Sequence, residues 1–194
     1  SLKWNFERDR TVAVSVDSQP IKMLRYTAKK YSVAVSFGYY ELCGEAIYSS
    51  YMFIGKNGEI VNNFRRVSKG WKEYDITDEH YKEGDGFKTF TYMGKRIALA
   101  VCGDLWYEEN IEQINKEKFD FLLYPVYVTY NTEMWRTKLV DEYAEQAKKI
   151  PRPVFLVNSI CDADNTRGGC YAFLNGKTVC EVPMGQDGYL LVRV

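Results

Sequence analysis

The chain has 194 residues, and its 26 Lys and Arg balance its 26 Asp and Glu, so the formal net charge is zero. This balance argues against the broad basic surface that attracts nucleic acid or an acidic membrane, and no apolar run approaches the length of a bilayer span. The length suffices for one domain with a substantial core. We therefore expect a single domain over residues 1–194, located in the cytoplasm, with neither nucleic acid nor membrane as a partner.

Hydrophobic periodicity predicts helices that alternate with short strands, which is typical of an α/β fold. In chain order, the predicted elements are a helix at 17–31 capped by Asp17 or Ser18, strands at 33–40, 46–54, 59–64, 87–92 and 96–101, a helix at 105–117, a strand at 119–126, a helix at 132–149, and strands at 154–160, 170–174, 177–182 and 189–194. The pairs Asn57-Gly58 and Asn175-Gly176 are typical of tight hairpin turns.

The five cysteines show no Cys-x-x-Cys spacing, so we expect reduced thiols and neither a metal nor a cofactor. One of them, Cys102, follows the short apolar run 97–101 and precedes Gly103 and the acidic residues Asp104 and Glu108. A thiol at such a strand-to-helix corner lies beside backbone N–H groups that stabilise a thiolate and can hold an oxyanion. The alternative is that Cys102 packs as a small hydrophobe, as most free cysteines do.

The run Cys-Gly-Asp-Leu-Trp-Tyr-Glu at 102–108 resembles the nucleophile motif of the nitrilase, or carbon–nitrogen hydrolase, superfamily. Further segments in the order of that family are Gly-Tyr-Tyr-Glu at 38–41, Asn-Gly-Glu-Ile at 57–60, Tyr-Lys-Glu-Gly-Asp at 81–85 and Gly-Gly-Cys at 168–170. The resemblance implies a four-layer α-β-β-α sandwich and a homodimer or higher homo-oligomer. It also implies cleavage of a non-peptide C–N bond in a small amide, carbamoyl compound or nitrile.

The resemblance also implies roles for individual residues. Cys102 would be the nucleophile, with Gly103 and Tyr127 at the oxyanion and substrate. The family's lysine, which polarises the substrate carbonyl, corresponds to Arg66, with Lys69 three residues later. We favour Arg66 over Lys69 for this role. The alternative is that both residues are solvated surface charges. Glu79 resembles a second acidic residue of the site; alternatively it is a solvated loop carboxylate.

The general base has no counterpart in the chain. Residues 1–6 resemble the loop that follows the family's first strand, helix and second strand, the segment whose end carries the catalytic glutamate. Glu7 and Glu41 are the nearest carboxylates, and neither follows such a strand, so the role is left unassigned. We expect the missing strand, helix and strand to leave an open sheet edge beside 33–40 or 97–101, covered by upstream residues or a partner chain.

Two alternatives remain open. The chain could be an inactive relative that serves as a binding or interaction module, because the base segment is absent and the lysine is replaced. It could instead be an unrelated thiol hydrolase that pairs Cys102 with His80, the single histidine.

Overall fold

The computed structural model describes residues 2–162 and 165–194. The chain divides into two compact units, Ser1–Gly86 and Phe87–Val194. The single domain predicted over residues 1–194 stays a prediction. Among the described residues, none of the helices combines the length and the apolar character that crossing a membrane requires.

The first unit contains a sheet of four strands and two helices. Its elements are α1 (Phe6–Asp9), α2 (Gln19–Tyr31), β1 (Val35–Cys43), β2 (Ala46–Ile54), β3 (Ile60–Arg65) and β4 (Tyr81–Lys82). Strands β1, β2 and β3 form an antiparallel meander, and β4 pairs in parallel with the start of β2. The Asn57-Gly58 turn joins β2 to β3, as the sequence predicts, and Gly58 has a φ of +83°.

Helix α2 covers part of this sheet because its apolar residues recur on one face. Ile21 and Ala28 are buried and pack with Met52 and Ile54 of β2. The helix begins after Ser18, one of the two predicted caps, and ends at Ser32, whose left-handed φ of +52° stops the helical hydrogen bonding. The predicted amphipathic helix is therefore confirmed, two residues shorter at its start.

Strand β1 lies at one edge of the sheet. It pairs with β2 along its whole length, and its other side carries only a bridge between Val14 and Glu41 in the described part of the chain. The open edge predicted beside 33–40 is thus confirmed from Val35 to Tyr39, whereas the carbonyl of Tyr40 accepts a hydrogen bond from the Val14 N–H at 2.9 Å. The edge predicted beside 97–101 is wrong at Ile97, because that residue has neighbouring strands on both sides.

A buried ion pair ties the three long strands of this sheet together. Glu41 of β1 is 2 % exposed and accepts hydrogen bonds from Arg65 Nη2 at 2.7 Å, Arg65 Nε at 2.9 Å and Ser50 Oγ at 2.7 Å. Burial alone raises the pKa of the carboxyl, but the hydrogen bonds from Arg65 and Ser50 outweigh it, so the pKa of Glu41 lies below its usual value. Glu41 therefore has one structural partner in β2, Ser50, and one in β3, Arg65.

The second unit contains a six-stranded mixed sheet with helices on it. Its elements are β5 (Phe90–Tyr92), β6 (Lys95–Leu99), a 3-10 helix (Cys102–Trp106), α3 (Glu108–Lys116), β7 (Phe121–Val126), α4 (Thr132–Met134), a π-helical segment (Trp135–Leu139), α5 (Val140–Lys148), β8 (Val154–Asn158), β9 (Ile160–Cys161), β10 (Thr166–Arg167), β11 (Cys170–Leu174) and β12 (Lys177–Val182). Strands β9 and β10 form a separate two-stranded ribbon.

The centre of the large sheet is parallel, and Cys102 opens the turn that follows one of its parallel strands, β6. The strand order is β12-β11-β8-β7-β6-β5; β6, β7 and β8 run parallel, and the outer pairs are antiparallel. Parallel strands need crossover connections, which α3 and α5 provide. The largest cluster of buried residues packs between these helices and the sheet; it includes Ile111, Ile114, Leu122, Tyr124, Trp135, Tyr143, Leu156 and Tyr171.

Several predicted elements of this unit differ in the structure: the strand predicted at 87–92 spans only Phe90–Tyr92, the strand predicted at 154–160 ends at Asn158, and three others differ as follows. The helix predicted at 105–117 begins at Glu108, because a 3-10 turn precedes it. The helix predicted at 132–149 is interrupted by the π-helical segment, at whose start Trp135 is buried. The strand predicted at 189–194 is wrong: its alternating apolar side chains, including Tyr189 and Leu191, are exposed and have no strand partner among the described residues.

The Glu41 ion pair yields a stability prediction. Replacing Glu41 leaves the charge of Arg65 without its partner, which is unfavourable in a protein interior. Because the Arg65 side chain is 30 % exposed, water compensates part of this loss, and we expect Glu41→Gln to lower the free energy of unfolding by about 2 kcal/mol at pH 7. Urea unfolding of both proteins measures this. Because the folded pKa is depressed, the difference is full above the ordinary value of 4.5 and is lost as the pH falls through the folded pKa.

A matched control is Glu7→Gln. Glu7 pairs with Arg10 at 3.6 Å on the surface, with side chains 78 % and 53 % exposed. Its substitution should change the free energy of unfolding by less than about 0.5 kcal/mol. Equal effects of the two substitutions would contradict a structural role for the Glu41 pair.

Candidate active site

Cys102 stands at a sharp corner of the second unit. Strand β6 ends at Leu99, and Cys102 opens the 3-10 turn with a φ of +48°, in the left-handed region that residues with a side chain rarely adopt. Its side chain is half-buried. The residue thus combines a strained backbone with partial access to solvent, which is how reactive nucleophiles are commonly displayed.

Asp104 closes the corner from within. The residue is fully buried, and its carboxylate accepts a hydrogen bond from the backbone N–H of Val101 at 2.8 Å. Its own carbonyl accepts one from Asn110 Nδ2 at 3.1 Å. The sequence predicts Asp104 only as an acidic residue near a helix start, whereas the structure gives it a specific role in bending the chain between Val101 and the turn.

Aromatic side chains pack beneath the corner. The hydroxyl of Tyr124 donates to the carbonyl oxygen of Cys102 at 2.7 Å. The ring of Tyr143 lies 6.1 Å from that of Tyr124 and meets Trp106 edge-on at 5.2 Å. Burial raises the pKa of both tyrosines above the ordinary value of 10.0, and the proximity of Cys102 raises them further. Both hydroxyls therefore stay protonated at neutral pH.

Two further predicted site residues share this region. Gly103 is the second residue of the 3-10 turn. The first hydrogen bond of the turn is donated by the next residue, from the Asp104 N–H to the carbonyl of Val101, so the Gly103 N–H lies outside the hydrogen bonding of the turn. Tyr127 directly follows β7 and is 48 % exposed. Because β6 and β7 are parallel, the turn and Tyr127 follow the same edge of the sheet, where ligands commonly bind in α/β folds.

Sequence reasoning missed Asn158, which holds the loop after β7. It is 5 % exposed, its Oδ1 accepts from Val128 N–H at 3.0 Å, and its Nδ2 donates to the carbonyls of Val128 at 3.2 Å and Gly168 at 3.1 Å. The sequence offered one signal, an Asn at the end of an apolar strand. Such a residue fixes the backbone next to Tyr127 by satisfying otherwise unpaired groups.

The predicted cations lie in the first unit and differ in environment. Arg66 is 9 % exposed; its Nε donates to Ser68 Oγ at 2.8 Å and its Nη2 to the carbonyl of Lys69 at 3.3 Å. Lys69 and Glu79 are exposed. Of the two cations, Arg66 is therefore the one that is held in place by hydrogen bonds of its own loop.

A third cation, missed by sequence reasoning, is buried nearby in the chain. The side chain of Lys72 is 7 % exposed, pairs with Glu83 at 3.2 Å and donates to the carbonyl of Tyr81. Tyr74 donates to the same carboxylate at 2.7 Å. Nothing in the sequence distinguishes Lys72 from the chain's other lysines, because burial of a charge depends on a partner that the fold supplies.

His80, the alternative partner of a thiol, has neighbours within the first unit. Its ring stacks on Phe6 with centroids 3.9 Å apart, and its Nδ1 lies 2.9 Å from Asp78 Oδ1. In the described part of the chain, no three His, Cys, Asp or Glu side chains are grouped so that they could hold a metal ion.

Comparison with known proteins decides the family. The family model described as carbon-nitrogen hydrolase matches residues 3–192. The chain belongs to the carbon–nitrogen hydrolase family. A citrullinase from Francisella tularensis is 26 % identical over 120 residues, which are 59 % of this chain and 41 % of that protein.

Solved structures confirm the predicted α/β fold of the nitrilase superfamily. A carbon-nitrogen hydrolase from Helicobacter pylori matches with a TM-score of 0.68 and 17 % identity, over 85 % of this chain and 63 % of that one. A mutant of the amidase from Nesterenkonia sp. AN1, with the acetamide moiety of fluoroacetamide added covalently at its active-site cysteine, matches with a TM-score of 0.68 and 15 % identity, over 84 % and 62 %. The chain therefore spans less than two thirds of these relatives.

The geometry of the corner predicts that Cys102 is the most reactive of the five thiols. We expect iodoacetamide at neutral pH to label the tryptic peptide 97–116, which contains Cys102, before the peptide with Cys43, although Cys43 is exposed. Peptide mapping over time measures the order. Cys102→Ala should remove the fast phase and Cys43→Ala should leave it. Faster labelling of Cys43 would contradict the assignment.

Proposed function

We propose that the chain is part of a hydrolase that cleaves the C–N bond of a small amide through a thioester on Cys102. The observation that carries this proposal is the Cys102 corner: a partly accessible thiol in a strained conformation, followed by a backbone N–H outside the hydrogen bonding of its turn. Membership of the carbon–nitrogen hydrolase family supports it. So does the covalent adduct at the active-site cysteine of the Nesterenkonia amidase.

The reaction proceeds in two halves. The Cys102 thiolate attacks the amide carbon, so a C–S bond forms and the carbonyl electron pair moves onto oxygen. The oxyanion is held by the N–H of Gly103 and the loop at Tyr127; its collapse breaks the C–N bond and releases ammonia or an amine, which takes up a proton. Water then attacks the thioester and frees the carboxylic acid and the thiol. We assign neither proton transfer to a residue of this chain.

For the cation that steadies the oxyanion we propose Arg66. Its burial and its two hydrogen bonds to the loop 66–69 support it over Lys69, because a charge stabilises a transition state best when it is already fixed before the reaction. Glu79 is proposed as the second acidic residue of the site, on the resemblance alone.

The substrate class follows the family's named members. The relatives include proteins named citrullinase and amidase, and small carboxamides or carbamoyl compounds are the substrates we propose to test. We further propose that the protein works in the cytoplasm as a homodimer or higher homo-oligomer.

Ammonia release tests the function directly. The complete protein should release ammonia from at least one member of a panel of small carboxamides and carbamoyl amino acids. Cys102→Ala should lower the rate at least about 1000-fold, because it removes the nucleophile. Cys43→Ala is the matched control and should keep the rate. Amide binding without ammonia release by the unchanged protein would instead favour the inactive binding module.

Three substitutions test the cation. We expect Arg66→Met to lower kcat about 100-fold, since losing one oxyanion donor has effects of this size, while Lys69→Met stays within about 2-fold. Thermal unfolding checks that Arg66→Met folds. Lys72→Met is the comparison: a larger loss of kcat from Lys72→Met than from Arg66→Met, with both proteins folded, would contradict the choice of Arg66.

A further inference from the structure

Tyr124 makes a contact that the proposed chemistry does not yet use. It lies in β7, is fully buried, and donates its hydroxyl to the carbonyl oxygen of Cys102 at 2.7 Å. This bond reaches across 22 residues from one parallel strand to the corner that follows its neighbour. It is therefore a tertiary restraint on the nucleophile's own backbone rather than a hydrogen bond of the sheet.

The restraint acts on a single rigid group. The carbonyl of Cys102 and the N–H of Gly103 belong to the same peptide unit, which is planar and trans, so the two bonds point in opposite directions. Fixing the direction of the carbonyl consequently fixes the direction of the N–H. That N–H is the oxyanion donor of the proposed mechanism, and donors contribute most when their direction is set before the reaction.

The corner needs such a restraint because its backbone is unfavourable. A left-handed φ of +48° is energetically unfavourable at a non-glycine residue, so without tertiary contacts the peptide would rotate toward a relaxed conformation. Asp104 restrains the chain before Cys102, by way of Val101, and Tyr124 restrains it after Cys102. The two contacts enclose the nucleophile from both sides.

The surroundings keep the Tyr124 hydroxyl in its donor form. Burial raises the pKa of Tyr124 well above its ordinary value, and the nearby Tyr143 and Cys102 raise it further. A hydrogen bond between the side chains of Trp106 and Tyr124 opposes this rise in the pKa of Tyr124. Over the pH range of an enzyme assay, the phenol remains a neutral donor that cannot compete with the thiolate as a base.

We propose that Tyr124 is a positioning residue whose hydroxyl orients the Cys102–Gly103 peptide so that the Gly103 N–H faces the substrate oxygen. This inference rests on the proposed function, since it assigns a geometric cause to one of its oxyanion contacts. Its specific consequence is that reactions which develop an oxyanion depend on Tyr124, whereas reactions of the same thiol without an oxyanion do not.

Tyr124→Phe in the complete protein separates these two kinds of reaction. Amide hydrolysis should fall about 10- to 100-fold in kcat with KM changed less than about 3-fold, because the lost interaction belongs to the transition state. Alkylation of Cys102 by iodoacetamide is a displacement at a saturated carbon and develops no oxyanion. Its rate should stay within about 3-fold of that of the unchanged protein, and its pH profile should stay the same. An equal fall in both rates would overturn the proposal, as would an unchanged kcat.

The matched control is Tyr171→Phe. Tyr171 is also buried in the second unit, and its hydroxyl accepts hydrogen bonds from Trp135 Nε1 and the Met184 N–H, each at 2.8 Å. Its substitution should lower the thermal unfolding midpoint at least as much as Tyr124→Phe does, with kcat within about 2-fold of the unchanged protein. A kcat as low as that of Tyr124→Phe would show that any buried phenol of this unit has the same effect, and would contradict the proposal.

If Tyr124→Phe does not fold, Trp106→Phe decides. Trp106 is 42 % exposed, and phenylalanine at this position can keep the edge-on packing with Tyr143. The substitution removes the indole N–H, and with it the hydrogen bond between the side chains of Trp106 and Tyr124. We expect kcat to fall about 3- to 5-fold with the alkylation rate kept, and an unchanged kcat would overturn the inference. Failure of the proposed function looks different: the unchanged protein would then hydrolyse no amide at all, or Cys102→Ala would hydrolyse it equally well.

Discussion

The position of the thiol in the second unit depends on the left-handed backbone of Cys102. Strand β6 ends at Leu99, and the left-handed conformation of Cys102 soon afterwards turns the chain, so the thiol lies at the edge of the sheet instead of continuing into its core. Asp104 and Tyr124 hold the turn from opposite ends. The parallel order of β6 and β7 is what brings Tyr124 within reach, because it sets the two strands side by side in the same direction.

Buried polar groups, each with its hydrogen bonds, organise both units. Glu41 links the strands of the first sheet through Arg65 and Ser50, and Asn158 holds the loop beside Tyr127 in the second. Such groups are unfavourable in a core unless they are satisfied, and once satisfied they favour one arrangement of the chain over others. The apolar clusters stabilise the units, whereas these polar contacts determine where individual backbone groups lie.

The sequence predicted the elements whose signals are local. The periodicity of α2, the Asn57-Gly58 turn and the apolar run before Cys102 each depend on neighbouring residues, and the structure contains all three. It could not predict contacts that only tertiary structure creates. The burial of Lys72 against Glu83 and the bond from Tyr124 to Cys102 join residues 11 and 22 positions apart. Residues 189–194 show the reverse error: their alternation resembles a strand, but a strand also needs a partner.

The most direct test of the account is to trap the acyl-enzyme. The complete protein is mixed with a small carboxamide, quenched in acid within milliseconds to seconds, and analysed by intact-mass spectrometry followed by tryptic mapping. The account predicts a mass increase equal to the acyl group, carried by peptide 97–116 at Cys102 and absent from Cys102→Ala. Ammonia release with no acyl group on that peptide at any quench time, or an acyl group on another cysteine, would contradict it.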